Sequence, residues 1–368
     1  MELTKCKLGE LITQRREKND GSDLPICGVS KDGLIPPKQK DADTSIYNVF
    51  YRDDFIFNPA RMELNSIAIN DMYDRAICSS LYEVFYVHRT DLLLPHYLKL
   101  IIRQKWFTRY CEFLGQGSAR EYCRFSNISE IEIEFPPVEE QKKIVDYNTV
   151  IENRIALKQK INDNLEATLS ALYKEFFTIT SSDELPFGWR VAPFSDIAAI
   201  TMGQSPQGDD CNNDGVGEPL LNGPTEFGFY SPSPVQWTTN GKKHCVEGDL
   251  LFCVRGSTTG RMNWANQSYA IGRGLAAIHH KSDCTLNWFV KAMIDNSLQE
   301  ILSAATGSTF PNVGKDLLNG FQVIIPDDNS LREFGVKGHS IFSMISNNAK
   351  EIDVLVGLQR TLLSKLTI

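Results

Sequence analysis

The second half of this chain repeats the first at a spacing of 190 residues, and that spacing restricts the folds open to it. Gly117-Ser118 recurs as Gly307-Ser308, and Ile128, Ile131, Ile133 and Pro136 recur as Leu318, Phe321, Val323 and Pro326. The correspondence continues without a gap: Ile151, Ile155, Leu165, Leu172 and Phe176 fall on Ile341, Ile345, Leu355, Leu362 and Leu366. About 60 residues recur in register, and each copy ends in a strand-like run, a proline and a long heptad-patterned helix. Two similar modules, each with its own helix, imply two similar binding ends and a spacer.

Four segments follow from this pattern: 1–136, 137–180, 181–326 and 327–368. In the first, Tyr47–Tyr51 and Ser80–Val87 carry the aromatic and β-branched residues of strands. Pro95 through Phe113 reads as one helix, with proline near its start and Gly115 after its end. Ile128 to Phe135 alternates apolar and acidic residues, as a half-exposed strand does. In the third segment, Gly248–Val254 reads as a strand that follows a turn, like Asp53–Phe57 in the first, and Asn287–Leu302 reads as a helix.

The second and fourth segments are long helices with one apolar stripe each. Pro137 opens the first helix, and Glu139-Glu140 suit its N-terminal dipole. Its seam is Ile144, Ile151, Ile155, Leu165, Leu169, Leu172 and Phe176, interrupted by Asn148, Lys158 and Asn162. The other helix, about 331–366, has Ile341, Ile345, Asn348, Ile352, Leu355, Gln359, Leu362 and Leu366 at an unbroken 4-3 spacing. A single stripe needs a partner stripe, and the simplest partner is the other helix of the same chain. Repetition of the modules predicts antiparallel pairing. With Ile155 facing Leu355, Leu165 faces Ile345, Ile144 faces Leu366 and Asn162 stands opposite Asn348. A buried Asn tolerates another Asn better than an apolar partner, so this pair selects the register. Lys158 must then snorkel past Ile352. A shift of one heptad is the competing register.

Composition removes several functions. No apolar run spans a membrane, and Met1–Cys6 lacks the apolar stretch of a signal peptide, so a cytoplasmic location is expected. Nine cysteines without a C-x-x-C pair indicate free thiols rather than a zinc site. Gly307–Asp316 resembles a P-loop only faintly, because Asp316 stands where a Ser or Thr should bind magnesium. Asn58-Pro59-Ala60-Arg61 is not the Asn-Pro-Pro-aromatic motif of an amino-methyltransferase. Glu140-Gln141-Lys142 is half of a nuclease pair with no suitable Asp before it, and His279-His280, a strand-end surface pair, has no further metal ligand near it in sequence. The chain reads as a binding scaffold. Its net charge of −8 argues mildly against nucleic acid, yet phosphate contacts need only a local basic face. Lys99, Arg103, Lys105, Arg109, Arg120 and Arg124 form one such group; Lys242, Lys243, Arg255, Arg261 and Arg273 form another.

The run Phe135-Pro136-Pro137-Val138-Glu139-Glu140-Gln141-Lys142-Lys143-Ile144, followed by the stripe from Ile151 to Phe176, resembles the conserved region of type I restriction–modification specificity subunits. Leu185-Pro186-Phe187-Gly188-Trp189, Met202-Gly203-Gln204-Ser205-Pro206, Gly248–Phe252 and Gly307–Asn312 are similar to further motifs of that family, in the same order. The first domain lacks the Pro-x-Gly-Trp opening and the Gly-x-Ser-Pro loop; the second helix has Ser330–Phe334 in place of Glu-Gln-x-x-Ile.

The resemblance implies an α+β fold. Two similar mixed α/β target-recognition domains, 1–136 and 181–326, would be separated by an antiparallel two-helix coiled-coil spacer. It implies a non-catalytic chain that reads double-stranded DNA, each domain taking one half of a bipartite target. The helices would dock two methylation subunits, and restriction subunits would join the full complex. S-adenosylmethionine, ATP and magnesium would belong to those partners, with no cofactor or metal in this chain. Arginine forks suit guanine, and Asn or Gln suit adenine. On that logic the DNA-contacting candidates are Arg61, Ser118 and Arg120 in the first domain. In the second they are Gln204, Ser205, Arg255, Ser257, Arg261, Ser308 and Thr309, with Lys242 and Lys243 on phosphate. The alternative reading is a coiled-coil interaction scaffold that binds no DNA.

Overall fold

The computed structural model describes residues 3–31, 33–37, 43–115, 123–177, 184–228, 231–307 and 311–364. The chain divides into two compact units, Met1–Arg154 with Leu355–Ile368, and Ile155–Val354. The divisions fall inside the two long helices.

The first unit contains β1 (Thr4–Lys7), β2 (Ile12–Arg15), β3 (Ile26–Ser30), β4 (Gly33–Ile35), β5 (Asn48–Tyr51), β6 (Phe55–Phe57), β7 (Ile67–Ile69), β8 (Arg75–Cys78) and β9 (Glu83–Val87). Helices α1 (Pro95–Ile102), α2 (Lys105–Gly115) and α3 (Phe125–Ser129) follow, then β10 (Glu132–Phe135) and the start of α4 (Val138–Phe177). One sheet has the order β2-β9-β6-β7, a second β4-β3-β8-β5, and β1 pairs with β10. Strand β6 explains the stacking of the two sheets. Its alternate residues point to opposite faces. Phe55 and Phe57 enter the core shared with α1 and α2, while Ile56 enters a second core with Val29, Phe50 and Ala76. A strand buried on both faces must read as a continuous apolar run, as this one does.

The second unit contains β11 (Arg190–Pro193), β12 (Ala198–Met202), β13 (Cys211–Asn212), β14 (Glu218–Leu221), β15 (Gln236–Thr238), β16 (His244–Cys245), β17 (Leu250–Cys253), β18 (Met262–Trp264), β19 (Tyr269–Ile271) and β20 (Leu275–His280). Then come α5 (Asn287–Ser303), α6 (Lys315–Gly320), β21 (Gln322–Ile325) and α7 (Asp328–Ser364). The sheet orders are β12-β20-β17-β18 and β13-β15-β14-β19-β16, and β11 pairs with β21. Apart from β13, this is the strand order of the first unit. The one parallel pairing recurs as well, β3 with β8 and β14 with β19. The duplication therefore includes both sheets, well beyond the stretch legible as sequence repetition. Strand β17 repeats the two-faced burial of β6: Leu250 and Phe252 enter one core, Leu251 and Cys253 another. The turn before each strand needs a left-handed residue. Asp53 supplies it at φ 66°, and Gly248 at φ 88°.

Two local expectations change. The helix from Pro95 to Phe113 is two helices, broken at Arg103-Gln104, where the Gln104 carbonyl accepts from Thr108 N–H and its side chain from Trp106 Nε1. The strand over Ile128–Phe135 is shorter, because Phe125–Ser129 is helical.

Each long helix is tied to its own unit by a different device. In the first unit Gln141 is 0% exposed. Its Nε2 donates to Leu92 O at 2.7 Å and Pro136 O at 2.8 Å, and its Oε1 accepts from Leu94 N at 2.9 Å. In the second unit Leu331 stands at the repeat-equivalent position, and Asp327 takes over. Its carboxylate accepts from Asn329 N, Ser330 N, Ser330 Oγ and Trp189 Nε1. The Glu-Gln and Gly-Trp motifs are thus anchors for the helix starts.

The stripes are buried within each unit. In the first, Ile151 is buried and Ile144 packs on the α1–α2 core. Gln359 Nε2 donates to Asn148 Oδ1 at 3.0 Å. Leu355 and Leu362 are half-buried there, and Leu366 lies outside the described residues. In the second unit Ile155 and Ile341 are half-buried, Leu165, Leu169 and Ile345 belong to one core, and Ile352 is buried. Asn348 Nδ2 donates to Asn162 Oδ1 at 2.8 Å, and Asn162 Nδ2 to Ile345 O at 3.2 Å. Lys158 is half-buried and Ile352 buried. The Lys158 ammonium lies 2.8 Å from Asn348 Oδ1 and 2.9 Å from Glu351 Oε2.

Candidate nucleic-acid interface

In the second unit, strand register brings five chain segments to one edge. The end of β12 lies opposite the start of β20, Met202 beside Ala276, and Cys253 at the end of β17 pairs with Leu275. In the other sheet the ends of β14 and β19 run side by side, Leu221 with Ile271. The connections that leave these ends are therefore neighbours: Gly203–Pro206, Asn222-Gly223, the β17–β18 loop and Gly272–Gly274. Residues 311–313 join them, since Val313 N donates to Val254 O and Thr259 Oγ1 to Pro311 O.

This edge gathers most of the second-domain candidates. Gln204 and Ser205 are exposed on the first connection; Arg255, Ser257 and Arg261 are exposed on the β17–β18 loop. Arg261 stands over the Phe227 ring at 6.0 Å, and the Arg255 backbone bridges to Asn312. Lys243 lies beside the end of β19, its carbonyl accepting from Ile271 N. Lys242 bonds Asn240 Oδ1 at 2.6 Å and is exposed. Ser308 and Thr309 fall outside the described residues. Two residues outside the contact set expected from the sequence also stand here. Arg273 is exposed between Gly272 and Gly274, and Asn222 holds Gln236 Oε1 at 2.8 Å. The glycines were the available signal. A Cβ on Gly203 would lie 2.1 Å from the Gly272 carbonyl oxygen, so the loops meet backbone to backbone.

The first unit has the corresponding edge. Arg15 pairs with Val84 and Phe57 with Glu83, which places Arg16–Lys18, Asn58–Arg61 and Ser79–Tyr82 together. A hollow of about 640 Å³ there is lined by Arg16, Lys18, Asn58, Tyr82 and Arg124 among others; an adjoining one of about 670 Å³ is lined by Arg61. Arg61 is exposed on the turn that Asn58 caps by accepting from Ala60 N. Arg16 and Lys18 carry no sequence signal of this placement, because the Gly-x-Ser-Pro motif is absent from their loop. Ser118 and Arg120 lie outside the described residues.

Of the basic group drawn from α1, α2 and the residues after them, Lys105 and Arg109 are exposed on α2, Arg120 lies outside the described residues, and the other three are engaged within the unit. Lys99 pairs with Asp71, Arg103 donates to Ile67 O, and Arg124 lies 3.4 Å from Glu83. His280 is buried rather than on the surface, its Nδ1 accepting from Ser282 and Asp283 N–H, while His279 faces Asp249 at 3.2 Å.

The acidic residue before each central strand is structural. Asp54 accepts from Arg15 Nε at 2.7 Å, Arg15 Nη2 at 3.1 Å and Tyr51 N at 2.7 Å. Burial pushes the Asp54 carboxyl above its ordinary range, against the pull of Arg15 and the Tyr51 N–H. Burial likewise raises Asp249, opposed by Val246 N–H and His279. Buried cysteines such as Cys111 and Cys123 are pushed up to about 12, again by burial, which leaves them as inert thiols. Among the described residues no group of His, Cys, Asp and Glu is placed to hold a metal ion, and no helix is long and apolar enough to cross a membrane.

Comparison with known proteins points to a family. The profile of the type I restriction modification DNA specificity domain matches residues 6–167. The chain is 27% identical over 293 residues to a Methanocaldococcus jannaschii protein named as a type I restriction enzyme MjaX specificity subunit, covering 73% of this chain and 68% of that one. It is 24% identical over 297 residues to the type I restriction enzyme MjaIX specificity subunit of the same organism, covering 75% and 69%. The crystal structure of a type I restriction–modification S subunit from M. genitalium has a similar fold, with a TM-score of 0.55 at 14% identity over 99% of this chain and 96% of that one.

Proposed function

The chain belongs to the type I restriction–modification specificity subunits, which recognise DNA sequence rather than catalyse, and on that premise we propose that its two repeated units each read one half of a bipartite target. The recognition domains are residues 1–136 and 181–326, and the helices 137–180 and 327–368 form the spacer. The observation that carries this reading is the repeated strand order, which presents exposed polar and cationic residues on the same edge of each unit.

A specificity subunit works within an assembly with other restriction–modification subunits and DNA. In this proposal the two long helices dock two methylation subunits, and restriction subunits join further out. Those partners supply S-adenosylmethionine, ATP and magnesium, and the complex acts in the cytoplasm. Arg61, Ser118 and Arg120 contact one half-site. Gln204, Ser205, Arg255, Ser257, Arg261, Ser308 and Thr309 contact the other, with Lys242 and Lys243 on phosphate. Linking two weak readers makes the second contact intramolecular and multiplies specificity. Mapping the bases methylated by the assembled complex tests the reading. It requires two specified blocks separated by unspecified positions, and one undivided block contradicts it.

A further inference from the structure

We infer that Arg273 is a direct base reader, and that its partner is a guanine in the half-site taken by the second unit. The inference rests on the half-site reading above and adds a residue to it.

Arg273 sits at the tip of the connection between β19 and β20, in the middle of the edge. Its backbone is held by hydrogen bonds to its neighbours. Gly272 N donates to Leu221 O at 2.8 Å, Leu275 N to Gly272 O at 3.0 Å and Val254 N to Gly274 O at 2.9 Å. Arg273 N itself donates to Ser205 Oγ at 3.2 Å. On both sides the fit excludes any side chain. A Cβ on Gly272 would meet Asn222 Oδ1 at 2.4 Å, and one on Gly274 the Asn222 carbonyl oxygen at 2.4 Å. These contacts clamp the main chain from three neighbouring connections and leave the Arg273 side chain exposed.

A contact to phosphate needs little of this. A flexible lysine side chain finds a phosphate by charge alone, and the exposed Lys242 and Lys243 suit that role. Reading a base edge needs a planar fork held in one position, because two parallel hydrogen bonds to guanine O6 and N7 must form together. The fixed backbone narrows the positions open to the Arg273 fork, and exposure of the side chain lets it meet a base edge. The equivalent connection of the first unit, between β8 and β9, has Leu81 at its tip, 77% exposed. A leucine side chain offers no hydrogen bond, so the arginine fork is not repeated at the tip of this loop.

The test uses the assembled methylating complex with Arg273→Gln and Arg273→Ala, and maps methylated sites for each. In the wild-type map one position of the second half-site is a required guanine. With Arg273→Ala, discrimination at that position falls about 10- to 100-fold; with Arg273→Gln the preference moves toward adenine. Both variants leave the other half-site unchanged. A uniform fall in methylation with the same consensus overturns the inference in favour of a phosphate contact. Relaxation at a position that is not guanine overturns it, as does failure of the variant complex to assemble, which makes Arg273 structural. An undivided wild-type consensus defeats the half-site reading instead. A divided one that both variants leave intact defeats only this inference.

Discussion

Lys158 and Asn348 stand 190 residues apart, the period of the repeat, and Lys158 Nζ donates to Asn348 Oδ1 at 2.8 Å. The two residues hold the same place in the two copies of the helix. Copies of one helix that run antiparallel bring identical positions face to face at a single level, and this is that level. Asn348 also donates to Asn162 Oδ1, and Lys158 meets Glu351 as well, so four polar side chains are linked across the seam.

Asn348→Leu removes the partner of Asn162 Oδ1, whose residue is 0% exposed, and we predict a loss of about 1–3 kcal/mol. Replacing Asn162 and Asn348 together by leucine recovers most of that loss, because no buried amide is then left without a partner. Thermal unfolding of the single and double variants checks both statements. A double variant as unstable as the single one shows that the pair does not act as a unit.

The helix anchor of the first unit is a second test. Gln141→Ala leaves Leu94 N and two carbonyls without their buried partner, and a loss of about 2–3 kcal/mol is predicted. Leu331→Ala at the equivalent place in the second unit removes only apolar contact from a half-buried side chain and costs less. Equal losses in denaturant titration would remove the distinction drawn between the two anchors.

Asp327 makes one contribution to stability dependent on pH. Hydrogen bonds from the Ser330 hydroxyl and then its N–H, with further help from Asn329 and Trp189, lower its carboxyl to about 2 from 3.8. A lowered acid stabilises the fold while ionised. The contribution is fully present above the ordinary value near 3.8 and is lost as pH falls toward 2. Asp327→Asn should therefore lower stability at pH 6 and leave it nearly unchanged near pH 2. A difference that persists undiminished at pH 2 contradicts the assignment.

How much of this was legible in the sequence depended on the range of the forces involved. The heptad seams and the turn before Leu250 are written in residues close together along the chain, and the Asn162–Asn348 level followed from setting one seam against the other. The shared strand order was not legible beyond the final 60 or so residues of each copy, because sheet order arises from pairing between distant segments and tolerates different side chains. Leu81 and Arg273 occupy equivalent loops with nothing in common as sequence. Likewise, nothing local distinguishes Arg273 from its basic neighbours; its fixed backbone appears only when Asn222, Ser205 and Val254 are brought beside it. The Glu351 partner of Lys158 was not legible, because a heptad position alone does not reveal which side chain stands within reach.

Arg255 and Lys242 separate base from phosphate contacts. Arg255→Ala is predicted to weaken binding of the cognate sequence by about 1–3 kcal/mol with little effect on other DNA. Lys242→Ala should weaken all sequences alike and flatten the dependence of affinity on salt. Titrations of the complex with cognate and unrelated duplexes at several salt concentrations distinguish them. Equal losses on both duplexes for Arg255→Ala would place it on phosphate.

The central claim is that each repeated unit reads its own half of the target. Its most direct test replaces residues 181–326 with the corresponding domain of another specificity subunit and maps the bases methylated by the resulting complex. The account predicts that one half-site takes the donor's sequence while the other half-site stays as it was. A change in both halves, or in neither, would contradict it.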